Sequence, residues 1–219
     1  MSWESEKKAV ADAARKMLAR GLVAGTAGNV SLRLGQQGGS RLLAITPTGQ
    51  PYEEMTAADI IVIDFEGDVV EGEGNPSSES LTHIAIYDAR PDVGSVIHTH
   101  SVYASVLAVA GVELPPIIDE LVTYLGGPIT VAEYGFPGTE DLGVKACAAL
   151  EDRNAVLLRN HGALGVGKSV EEALRNCELV ERAAQIFLHA SALGKVGVLP
   201  PDVVEAERNI FRMMQGGDR

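Results

Sequence analysis

Strand-type and helix-type segments alternate irregularly along this chain, and that irregularity narrows the fold more than any other feature. DIIVIDFEGDVVEGEG, from Asp59, reads as two strands closed by the turn Glu66-Gly67-Asp68, a hairpin that makes its strands antiparallel. RLLAITPTG is a strand stopped by Pro47 and Gly49, and AGTAGNVSLRL is a Gly-rich turn running into another. VGSVIHTHS and TVA add strands, and NAVLLRNHGALGVG reads as a strand, a turn and a second strand.

Helical spacing runs from Ser5 to about Leu22, through SVYASVLAVAG, and through the segment after Thr139, which Thr139 is placed to cap. Asn75-Pro76-Ser77-Ser78 reads as a helix start, with Pro91 ending that helix. The strongest helix follows Ser169, with Glu172 at the capping-box position, and a last one begins at the Pro200-Pro201 pair. Strands joined partly as hairpins predict a mixed or antiparallel sheet with helices packed on it, not a regular parallel wound sheet. The loop LGQQGGSR is expected to be the most mobile part of the first half.

The chain of 219 residues is expected to form one domain spanning 1–219. Eighteen Lys and Arg against thirty Asp and Glu leave a net charge of −12, with no basic block, which argues against nucleic acid or an anionic membrane as a partner. An anionic small molecule stays open, because a few backbone N–H groups can hold one phosphate. MSWESEKKAVADAARKMLARG has no apolar core of the signal-peptide kind, and no apolar run approaches the roughly 18 residues of a membrane span. Cys147 and Cys177 lack metal-type spacing and read as small core fillers, so a cytoplasmic protein is expected.

Chemistry concentrates in few places. His98 and His100 end an apolar strand two residues apart, so a strand would aim both imidazoles to one side. His161 leaves a second apolar strand, with Gly162 letting the backbone turn after it. Three neutral imidazoles would leave a divalent ion open to substrate. A carboxylate is supplied by Glu79 in PSSES, at a helix start whose dipole favours its ionised form, while Ser77 and Ser78 offer hydroxyls and N–H groups there. His83 reads as a packed histidine beside the site ahead of a ligand, and His189 as structural.

GNVSLR, TPTG, NPSSES, HTH and NHG, in this order and at these intervals, resemble the class II aldolase/adducin family from about Ala9 to Leu193. The resemblance implies an α/β fold with a central, mostly antiparallel β-sheet flanked by helices on both sides, assembled as a homotetramer with sites between subunits. It implies Zn2+, or another divalent first-row metal, held by His98, His100 and His161. Glu79 would ligate the ion while the site is empty and then act as catalytic acid/base. Phosphate-binding positions fall on Gly28, Asn29, Thr48, Gly49, Ser77 and Ser78. The implied activity is reversible cleavage of a ketose 1-phosphate, L-fuculose 1-phosphate or a related deoxy-sugar phosphate, to dihydroxyacetone phosphate and an aldehyde. A phosphorylated sugar is thus the implied partner.

The pattern departs from the family at the aldehyde side. Glu120 stands where a tyrosine precedes the glycine pair matched by Gly126-Gly127, and the last helix offers only Phe211 for a terminal tyrosine. Three other readings remain: L-ribulose-5-phosphate 4-epimerase, which typically has Asp in place of Glu79; methylthioribulose-1-phosphate dehydratase, with the same histidines; and a non-catalytic adducin-like interaction domain, which predicts lost ligands.

Overall fold

A computed structural model describes residues 3–36 and 39–216. One eight-stranded sheet runs through it, built from β1 (Asn29–Arg33), β2 (Leu42–Ile45), β3 (Ile61–Asp64), β4 (Val69–Glu71), β5 (Ser95–Thr99), β6 (Val131–Ala132), β7 (Ala155–Leu158) and β8 (Gly162–Gly167). Their spatial order is β4-β3-β2-β1-β5-β8-β7-β6. Every neighbouring pair is antiparallel except β6 with β7. The mostly antiparallel sheet expected from the hairpins is therefore what the chain forms. Its mobile-loop expectation falls partly on residues 37 and 38, which lie outside those described.

Among the described residues seven α-helices accompany the sheet: α1 (Glu4–Ala19), α2 (Ser80–Ala89), α3 (Val102–Ala110), α4 (Asp119–Leu125), α5 (Glu140–Leu150), α6 (Val170–Ala192) and α7 (Pro201–Gly216). Strand side chains alternate between faces, and the core divides accordingly. Val30, Leu42, Ala44, Val62 and Ile97 pack with α1 and the start of α6. Leu43, Ile45, Ile63, Val96 and Leu164 pack with α2 and α5 on the opposite face. A third cluster joins α3, α4 and the middle of α6. Each fully buried Leu, Ile or Val contributes roughly 1.5–3 kcal/mol.

The glycines of GALGVG let α6 lie close on β8. A Cβ at Gly165 would stand 2.5 Å from Cys177 Sγ, and one at Gly167 would stand 2.6 Å from Ala173 N. Cys177 is buried there as a core filler, and burial pushes its thiol up to about 12. Ser169 caps α6 by accepting from Glu172 N, while the Glu172 carboxylate accepts from Lys168 N.

Two local expectations need correction, and one helix adds to the expected pattern. Thr139 makes no side-chain cap on α5; its hydroxyl donates to Phe136 O instead. The helix announced by NPSS begins only at Ser80, because the preceding residues bridge to the end of β2: Pro47 pairs with Pro76, Thr48 N donates to Asn75 O, and Ser77 N donates to Thr46 O. α4 had no sequence counterpart, since its seven residues follow Pro115-Pro116 and are too short to show a helical period.

Candidate active site

Asn29 on β1 pairs directly with His98 on β5, and His98 pairs with Leu164 on β8. Residues opposite one another across a ladder project to the same face, so Asn29 and His98 share one. His100 follows the end of β5, and His161 sits in the turn between β7 and β8. The residue that makes the turn is Asn160, whose φ is 56°. Gly162 serves close approach instead: a Cβ there would stand 2.2 Å from Thr99 O and 3.2 Å from the His100 ring.

The three imidazoles converge. His98 Nε2 lies 2.8 Å from His100 Nε2 and 3.3 Å from His161 Nε2. His98 Nδ1 donates to Ala163 O at 3.0 Å, which leaves its Nε2 bare and turned inward. Burial, then the neighbouring His161 and His100, holds His98 well below the usual imidazole range. Burial and His161 likewise lower His100.

Glu79, the residue before α2, closes the cluster. Its Oε2 is 3.3 Å from His98 Nε2, and its Oε1 is 3.6 Å from His161 Nε2. Oε1 is buried without a hydrogen-bond partner, as is His161 Nδ1. The bare His98 nitrogen can accept one proton only, so a carboxylate and three imidazoles here leave a surplus of inward lone pairs. A divalent cation relieves that surplus. Tetrahedral ligands at about 2.0–2.1 Å stand about 3.3 Å apart, close to the spacings found. His98, His100 and His161 are thus a donor set that fits a metal ion.

Behind Glu79 runs a buried polar chain. Asn29 Nδ2 donates to Glu79 Oε2 at 3.0 Å, and Asn29 Oδ1 meets His83 Nε2 at 2.5 Å. His83 Nδ1 meets Ser31 Oγ at 2.7 Å, and Ser31 Oγ meets Tyr87 OH at 2.7 Å. Burial above all, with nearby His98 adding to it, drives the His83 imidazole down to about 3. His83 is therefore a packed partner of the site, not a fourth imidazole in the cluster.

In front of Glu79 a cleft of about 250 Å³ is lined by Gly28, Asn29, Thr48, Gly49, Ser77, Ser78, Glu79, His100 and His161, so nearly all the residues singled out in the sequence meet there. Gly28 has φ 75°, and a Cβ on it would stand 2.5 Å from His98 O. Tyr52 OH anchors this turn by donating to Gly28 O. No Lys or Arg is among the described lining residues. Sequence reading missed Thr26 and Pro137 on the same wall. GFPG reads as a turn, and nothing local says what a turn faces. Glu120 and Tyr124 line a different groove with Arg175 and Arg182. Phe211 is buried, its ring 2.8 Å from where a Gly126 Cβ would be.

Comparison with known proteins gives a consistent result. The family model for the Class II Aldolase and Adducin N-terminal domain matches residues 8–188. The 5-deoxy-D-ribulose 1-phosphate aldolase of Bacillus thuringiensis serovar kurstaki is 35% identical over 216 residues, 99% of this chain and 98% of that protein. The L-fuculose phosphate aldolase of Escherichia coli K12 is 38% identical over 184 residues, 84% of this chain and 83% of that one. A solved L-fuculose 1-phosphate aldolase superposes with a TM-score of 0.89 at 37% identity, covering 97% of this chain and 98% of its own.

Proposed function

The chain belongs to the class II aldolase and adducin family, and from that premise we propose that this lyase cleaves a ketose 1-phosphate reversibly to dihydroxyacetone phosphate and an aldehyde, with a 5-deoxypentulose 1-phosphate as its leading substrate. One observation carries the reading: three imidazoles and the buried, half-unpartnered carboxylate of Glu79 meet at the floor of a cleft walled by hydroxyls and glycines. A non-catalytic descendant of the fold has no reason to keep that set together.

His98, His100 and His161 would hold the ion, Zn2+ or another divalent first-row metal. When bound, it supplies a Lewis acid that draws charge from the substrate's carbonyl and hydroxyl oxygens. Glu79 Oε1 takes or returns the proton at C3 of the three-carbon fragment. The hydroxyls of Thr48 and Ser78, with the backbone at Gly28 and Gly49, would meet the phosphate. The N–H groups of Thr48 and Ser77 are spent on Asn75 O and Thr46 O. Such a cradle recognises a phosphate by hydrogen bonds and suits a chain of net charge −12.

The choice of a deoxypentulose rests on the name of the Bacillus relative and on the aldehyde side. Glu120 and Phe211, at the positions of the family's tyrosines, do not line this cleft. The proposal extends to one domain over the whole chain and to a homotetramer that completes that side. The test is release of dihydroxyacetone phosphate from a panel of ketose 1-phosphates, with and without a chelator. Chelator-sensitive release, fastest from 5-deoxyribulose 1-phosphate, is expected. Failure with every panel member by metal-loaded protein rejects the proposal.

A further inference from the structure

The buried chain behind Glu79 has a polarity, and that polarity assigns a role to a residue outside the cleft. An ionised carboxylate only accepts, so Asn29 must turn Nδ2 to Glu79 and Oδ1 to His83. Oδ1 also only accepts, so the His83 proton sits on Nε2. In a neutral ring Nδ1 is then bare and accepts from the Ser31 hydroxyl. Ser31 Oγ in turn accepts from Tyr87 OH at 2.7 Å, a shorter contact than the 3.4 Å from that hydroxyl to Gly94 O. Every link has one donor and one acceptor. The opposite polarity requires a protonated Glu79 and an amide turned over.

The far end is clamped. The Arg33 guanidinium donates to Tyr87 O, Val93 O and Arg90 O and lies 4.7 Å over the Tyr87 ring. Ser31, His83 and Tyr87 are each buried to within 1% of complete. Water therefore does not compete for these groups, and a buried polar chain with every link made holds one arrangement.

We propose that His83 is a positioning residue for Glu79: as the Nε2–H tautomer, set by Ser31 and Tyr87, it fixes the Asn29 carboxamide so that Nδ2 holds Oε2 of Glu79 and Oε1 stays free to carry the proton. His83 touches neither the cleft nor the three inward-facing imidazole nitrogens. It acts through Asn29, and the assignment rests on the acid/base reading of Glu79 given above. Glutamine is the natural replacement, because its carboxamide presents a donor and an acceptor at nearly the spacing of the two ring nitrogens. Leucine fills the space and offers neither.

The experiment has two arms. In steady-state assays of the metal-loaded enzyme, H83L is expected to lower kcat about 10- to 100-fold, as loss of a supporting hydrogen bond does at such sites. KM and bound metal should stay near native, because His83 lines neither the cleft nor the metal cluster, and H83Q should recover most of the lost kcat. In the second arm, 15N spectra of the metal-free native protein should show His83 protonated on Nε2 and bare on Nδ1 at neutral pH. Native-like kcat in H83L, an H83Q no better than H83L, or a His83 proton on Nδ1 overturns the proposal. The spectrum decides alone if H83L fails to fold. If instead E79Q retains native kcat while the Nε2–H tautomer is observed, the acid/base reading of Glu79 has failed and the hydrogen-bond chain has not.

Discussion

Asn29 Nδ2 lies 3.0 Å from Glu79 Oε2 across fifty positions of sequence, and it is the one side-chain donor that steadies this carboxylate among the described residues. Substituting a second acid at Asn29 reverses that support. In N29D two carboxyl groups stand where both cannot ionise without repulsion, so the pair holds a proton to higher pH. The acid limb of the kcat profile is expected to move upward in pH, with turnover reduced on that side. Assays from pH 5 to 9 on the native and N29D proteins check it; superimposable profiles contradict the contact.

Metal binding is expected to depend on the tautomer of His98 as well as on its nitrogen. H98A removes one ligand and leaves Ala163 O without its donor, whereas H98Q keeps a polar group of similar reach. Both variants should hold far less metal than native after dialysis, by about tenfold or more, since a site of two imidazoles is incomplete. Elemental analysis of dialysed protein measures this. Full stoichiometry in H98A would remove His98 from the ligand set.

Gly162→Ala probes close approach directly. Its Cβ would meet Thr99 O at 2.2 Å and crowd His100 and His98. Overpacking of this kind costs about 1–3 kcal/mol or more. Denaturant melts should show that loss, and metal affinity should fall with it because β5 and β8 are forced apart at the histidines. A native-like melting curve would mean the strand ends yield easily.

His83 also sets an acid limit on stability. Its folded pKa is about 3, against an ordinary value of 6.5, so between those values the unfolded chain binds a proton that the folded chain refuses. Stability therefore falls as pH drops below about 6.5, by about 1.4 kcal/mol per pH unit for this group alone. Buried His98 adds to the slope in metal-free protein. Melts of chelated native protein and H83Q between pH 7 and 5 should give a slope shallower by about one proton in the variant. Equal slopes would count against a neutral buried His83.

The sheet and the pairing of two imidazoles in HTH are legible because their signals are local, while the phosphate positions come from the order of the motifs along the chain. Hairpin turns fix antiparallel neighbours, and HTH at a strand end brings two imidazoles together, His100 lying just past Thr99, the last residue of β5. What stayed hidden depends on contacts far apart in sequence. The family resemblance puts Asn29 among the phosphate positions, yet its carboxamide is engaged by Glu79 and His83, fifty and fifty-four positions away. Gly162 looked like a turn residue, but its lack of a side chain matters for the approach to Thr99. The delayed start of α2 follows from Pro76 pairing with Pro47, and no helix-capping rule contains that. Pro137 carries no polar group to advertise a place on the cleft wall.

Proton exchange on the three-carbon product isolates the acid/base work of Glu79, because it needs no knowledge of the aldehyde. Dihydroxyacetone phosphate is incubated in D2O with metal-loaded protein, and deuterium at C3 is followed by NMR. Exchange of one C3 hydrogen is expected, abolished by chelator and slowed about 10²- to 10⁴-fold in E79Q, the range for loss of a general acid/base. Absence of exchange with metal bound, or native exchange in E79Q, would remove Glu79 from the proton transfer.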